Sequence, residues 1–196
     1  MYILLTDTGT LFSRAIKLYT RAPYNHASIA LDQDLNEIYS FGRKDFRNPI
    51  NGGFVKETLC SGLFFHKPKT SCAVYELTVD QSTYHTLSNV IKEFERKQAE
   101  YRYNLLGLLG ILLKKAIERK DAYFCSEFVA VVLRNSGIYP FEKPPSLITP
   151  DDFCRVKQFK LIFQGKLIDF KSQRGTYVPE TTEKSMKPFH LYPQKL

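Results

Sequence analysis

No Cys-x-x-Cys pair occurs among the four cysteines, Cys60, Cys72, Cys125 and Cys154, so neither a redox motif nor the tight ligand pairs of a zinc finger are present. The first residues, Met1 to Asp7, have neither the basic region nor the long apolar core of a signal peptide, and free thiols in a reducing cytoplasm are the expectation. The longest apolar run, Leu105 to Leu113, is about half the ~20 residues that a bilayer span requires. Its apolar residues surround the helix axis, which favours a buried helix over one lying on a membrane surface. No internal repeat, low-complexity block or nucleic-acid-binding motif is present, so no nucleic-acid partner is expected.

What is there suits one domain with a substantial core: 196 residues, 43% hydrophobic and 14% aromatic, far too apolar for general disorder. The formal charge of +8 is spread thinly, with 22 basic against 17 acidic residues in positions 1–165 and 6 against 3 in 166–196. Such a dispersed excess says little about a polyanionic partner.

Hydropathy alternation predicts a strand over Tyr2 to Leu5 and a helix carrying Leu11, Phe12, Ala15, Ile16 and Tyr19. A strand from His26 to Leu31 is paired with Glu37 to Phe41 across the turn at Asp32 to Asn36. Turn residues from Gly42 to Lys69, among them Asn51-Gly52-Gly53, predict mostly loop with one short strand near Phe54-Val55. Ala73 to Val79 has strand character, followed by helices over Ser82 to Gln98 and Leu105 to Arg119. The stretch from Phe124 to Arg134 is apolar almost all round and predicts a central buried helix closed by Gly137. Thr149-Pro150-Asp151-Asp152 opens a short helix, and Gln158 to Phe163 with Lys166 to Phe170 reads as a final hairpin about Gln164-Gly165. The domain is drawn at residues 1–170, with a polar tail at 171–196.

Chemistry concentrates at Cys125. A thiol acts as a nucleophile through its thiolate, and the first turn of a helix favours negative charge, so a cysteine opening a buried helix is expected to be acidified. The competing reading is a small core residue, since free cysteine is among the most buried types. A general base must reach the sulfur, and His26, opening its strand, is the best placed of four histidines; His66 stands in reserve, whereas His85 falls on an exposed helix and His190 in the tail. The base needs an acceptor to fix its tautomer. Ser40 is the candidate on the neighbouring strand, with Glu57 and Asp7 as alternatives. Cys60, His66 and Cys72 are evenly spaced but too far apart for an ordinary zinc site and lack a fourth ligand, so no metal or cofactor is expected.

These residues resemble a family: the circularly permuted relatives of NlpC-type papain-like cysteine peptidases, in particular the bacterial YiiX and YaeF group. Tyr24-Asn25-His26-Ala27-Ser28-Ile29 is similar to the family's histidine strand, and Phe124-Cys125-Ser126-Glu127-Phe128-Val129 to its nucleophile helix, with the histidine first as in the permuted group. Tyr101 to Gly107 and Ile148 to Phe153 add supporting likeness, and the arrangement covers roughly residues 1–170. The resemblance implies an α+β, circularly permuted papain-like (NlpC-type) fold, a small antiparallel sheet packed against helices around the nucleophile helix. It further implies a cysteine-dependent hydrolase in which Cys125 attacks, His26 acts as base and Ser40 orients it, on a peptide, amide or acyl substrate. The family usually has a strongly polar residue where this chain has Ser40. A scaffold that binds rather than catalyses is therefore the competing expectation, and a lipid acyl-transferring relative a third.

Overall fold

The computed structural model describes residues 1–7, 22–45, 48–59, 64 and 69–173. The expected helix around Leu11 to Tyr19, Cys60, His66, His190 and the tail beyond residue 173 lie outside them. The fold is α+β, built on an antiparallel sheet of six strands in the order β4-β3-β2-β1-β5-β8. These are β1 (Tyr2–Asp7), β2 (His26–Ala30), β3 (Ile38–Asp45), β4 (Asn48–Glu57), β5 (Ser71–Glu76) and β8 (Lys160–Lys166). A second, two-stranded parallel ribbon pairs β6 (Arg102–Tyr103) with β7 (Ala122–Tyr123). The helices are α1 (Gln81–Arg96), α2 (Leu105–Leu112), α3 (Cys125–Asn135), α4 (Pro150–Phe153) and α5 (Leu167–Gln173).

Strand alternation divides the core in two. Ile3, Leu5, Ala27, Ile29, Tyr39, Phe41, Ala73 and Tyr75 share one cluster with Phe128 to Leu133 of α3 and Leu87, Ile91 and Phe94 of α1. Residues of opposite parity, Leu4, Ala30, Ile38, Cys72 and Val74, pack with Leu59, Phe64 and α5 residues Leu167 and Phe170. The first cluster is aromatic at its heart. Phe41 meets Phe128 at 5.1 Å and Tyr123 at 5.2 Å between ring centroids, and Phe94 meets Phe128 at 5.0 Å.

The β2–β3 pairing and the β1, α1 and α3 elements agree with the sequence reading. Asp80 caps α1 by accepting the Thr83 N–H at 2.8 Å, and Gly137 closes α3 at a φ of 77° that suits a residue without a Cβ. Three expectations are corrected. The region after Gly42 is not mostly loop: β3 runs on to Asp45 and β4 occupies ten residues. Its glycines serve close packing rather than a turn, for a Cβ on Gly52 would stand 2.8 Å from Tyr103 Cβ. The final hairpin is instead one strand, β8, running straight through Gln164-Gly165 beside β5 and followed by a helix. The helix over Leu105 to Arg119 stops at Leu112, where Lys114 turns to a φ of 54° and the Lys115 N–H returns to Gly110 O at 2.9 Å. No helix among the described residues is long and apolar enough to cross a membrane.

Candidate active site

Cys125 is the first residue of α3, preceded by Phe124 in extended conformation, as the sequence suggested. Three polar contacts fix this turn. Glu127 reaches back to accept the Phe124 N–H at 3.2 Å, Asn104 Nδ2 donates to the same carboxylate at 3.3 Å, and the Ser126 hydroxyl donates to Ile148 O at 2.6 Å. Asn104 also caps α2, its side-chain oxygen accepting the Gly107 N–H at 2.9 Å. One side chain thus ties the starts of both helices together, ahead of the thiol.

The thiol is buried at 4% exposure. Its pKa is raised, because burial of the charged form outweighs the backbone N–H groups of Ala27, Ser126 and Cys125 and the Ser126 side chain, all of which act to lower it. The expected acidification at a helix start is therefore corrected: the local donors are in place, and desolvation wins. Ala27, whose amide acts on the thiol, follows His26 in β2.

His26 opens β2 opposite Thr6 of β1. Burial holds its imidazole well below the usual histidine range, at about 4. At neutral pH both partners of the expected pair are uncharged. The β2–β3 register, Ile29 against Tyr39 and Ala30 against Ile38, continued along the strands sets Ser28 opposite Ser40 and His26 opposite Gly42. The ring accordingly leans toward β3: a Cβ built on Gly42 would lie 3.8 Å from His26 Cε1 and 3.8 Å from Ser40 Oγ. Ser40 is thus close to the ring, yet its hydroxyl is fully buried and has no hydrogen-bond partner, as is true of Thr6 and Ser28 on the same side of the sheet. Ser40 does not hold the imidazole by a hydrogen bond, and the role expected of it is corrected to that of a neighbour. Of the alternatives, Asp7 accepts from the Asn25 amide, and Glu57 lies at the far end of β4 beside Ile38. His85 is exposed on α1, its Nε2 3.1 Å from Gln81 Nε2.

Two residues at the site are not singled out by the sequence. Tyr103 on β6 lies beside Cys125, and its hydroxyl, raised well above the usual range first by burial and then by the neighbouring thiol, remains a proton donor. The signal was the Tyr-Arg-Tyr-Asn segment before α2, read only as family likeness. Glu127 is a second: burial pushes its carboxyl up to about 7, against the opposing pull of the Phe124 N–H and Asn104. Among the described residues no group of three or more His, Cys, Asp or Glu could hold a metal, and the described cysteines Cys72, Cys125 and Cys154 are free thiols. A shallow depression at Met1, Leu77 and Tyr84 lies at the other end of β1 from the thiol. No protein-family model matches the chain, and no curated protein matches it.

Proposed function

We propose that the chain is a cysteine-dependent hydrolase built on a circularly permuted papain-like scaffold, with Cys125 as nucleophile and His26 as base. The observation that carries this reading is the thiol at the first residue of a buried helix, with the Ala27 amide that adjoins His26 acting on it. The chain order, histidine before cysteine, supports the permuted arrangement. The resting pair is neutral thiol and neutral imidazole. As the sulfur bonds to a carbonyl carbon, the thiol proton passes to His26 and the carbonyl oxygen becomes an oxyanion, for which the Cys125 N–H and the Tyr103 hydroxyl are the candidate donors. Collapse of that intermediate breaks the bond to the leaving group, which takes the proton from His26. Water, deprotonated by the same ring, then releases the acyl group. An amide, ester or thioester fits this sequence equally well.

A second reading, a papain-like scaffold used for binding, is favoured by the unpartnered Ser40 hydroxyl. The two part at acyl transfer. Incubation with p-nitrophenyl acetate should place one acetyl group on Cys125, mapped by peptide mass, and none in a Cys125→Ala variant. Absence from the natural chain both of the acetyl adduct on Cys125 and of p-nitrophenolate release beyond that of Cys125→Ala would sink the hydrolase reading and leave the binding one.

A further inference from the structure

Helix α2 is turned the wrong way out for a surface helix of a water-soluble domain. Such helices ordinarily bury their large apolar residues and expose polar ones. Here the helix is seated on glycine: a Cβ on Gly107 would lie 2.4 Å from Asn104 Nδ2 and 3.1 Å from Phe124 Cδ1, and one on Gly110 would lie 2.5 Å from Lys115 O. The leucines point outward instead, with Leu105 at 44%, Leu106 at 50%, Leu109 at 52% and Leu113 at 67% exposure. The burial expected of this run is therefore corrected: Gly107, Leu108 and Gly110 take the inner face and leave four leucines to solvent. Beside them the chain is cationic. Lys114, Lys115, Arg119 and Lys120 follow the helix and Arg102 precedes it, all exposed, against Glu100, Glu118 and Asp121.

We propose that this leucine face is a docking surface for an anionic lipid bilayer. The composition selects lipid over protein. Protein interfaces favour aromatic and arginine anchors and are poor in lysine, and leucine is under-represented among their energetic centres. A cluster of leucines edged by lysines is what an interfacial helix presents, its apolar face entering the acyl boundary while the cations meet headgroup phosphates. The docking proposal stands apart from the chemistry of Cys125.

The chain contains no tryptophan, so Leu109→Trp supplies a single reporter. With vesicles of phosphatidylcholine and phosphatidylserine in equal parts, its emission should shift to the blue and the full chain should co-sediment, with little binding to phosphatidylcholine alone. Leu109→Asp with Leu113→Asp should lower binding by at least about tenfold. Lys114→Gly, which suits the positive φ, should lower it about fivefold. No sedimentation with either vesicle, or sedimentation indifferent to both sets of changes, overturns the proposal. So does a dimer in analytical ultracentrifugation that the aspartate pair dissolves, which would assign the face to a second copy. The aspartate pair should still accept acetyl from soluble p-nitrophenyl acetate at Cys125, so that failure of docking and failure of the hydrolase reading are separately visible.

Discussion

Replacing His26 with glutamine should flatten the acid limb of the stability profile. The imidazole is held at about 4 in the folded chain against an ordinary value near 6.5. The folded pKa is lowered, so the unfolded chain takes up the proton first and the natural protein loses stability as pH falls from about 6.5 toward 4, with no further loss from this group below that. A displacement of about 2.5 units corresponds to about 3 kcal/mol at full development, of which roughly 2.5 kcal/mol accrues between about pH 7.5 and pH 4.5. Part of the residue remains in contact with solvent, which makes this an upper bound. Urea unfolding of both chains across that range supplies the test. The gap in unfolding free energy between the natural chain and His26→Gln should change by about 1 to 2.5 kcal/mol, to the disadvantage of the natural chain in acid. Parallel profiles would mean that the ring is solvated and that burial does not lower its pKa.

Glu127 should act with the opposite sign. Its carboxyl is raised to about 7 by burial, so its contribution is complete below about pH 4.5 and is lost as pH rises through about 7. Glu127→Gln should therefore gain relative to the natural chain by up to about 3 kcal/mol on going from acid to neutral pH, read by the same urea titrations. Phe128→Ala removes a fully buried ring that contacts Phe41 and Phe94 and should cost about 3 to 5 kcal/mol of unfolding free energy. Gly52→Ala drives a Cβ into Tyr103 and should cost about 1 to 3 kcal/mol, visible as a lowered Tm, together with slower acetylation of Cys125.

The parts of the fold that were legible in the sequence are those where one physical signal dominates. His26 to Leu31 and Glu37 to Phe41 alternate and are joined by a turn in which Asp32 accepts the N–H groups of Asp34, Asn36 and Glu37. Cys125 to Arg134 is so apolar that no position but the interior suits it. The failures arose where one residue type has two uses. Glycine in β4 and β8 suggests a turn from the sequence, although in β4 it admits Tyr101 and Tyr103 against the strand. Glycine in α2 let the backbone approach Phe124, and the leucines were left outside, an outcome that composition alone does not distinguish from burial. At the site, the sequence placed Cys125 at a helix start and His26 on an adjacent strand but contained no measure of desolvation, which reverses the expected thiol shift. Ser40 was placed near His26 by register, and register says nothing of whether a hydroxyl finds a partner.

The central claim is that His26 serves Cys125 as base, and the rate of Cys125 acetylation by p-nitrophenyl acetate, followed against pH in the natural chain and in His26→Ala, tests it most directly. The natural chain should acquire reactivity as pH rises through about 4, where the imidazole becomes free to accept a proton. His26→Ala should be slower by about 10² to 10⁴ near neutrality. Equal rates in the two chains, both rising only in the range of an ordinary thiol, would contradict the account.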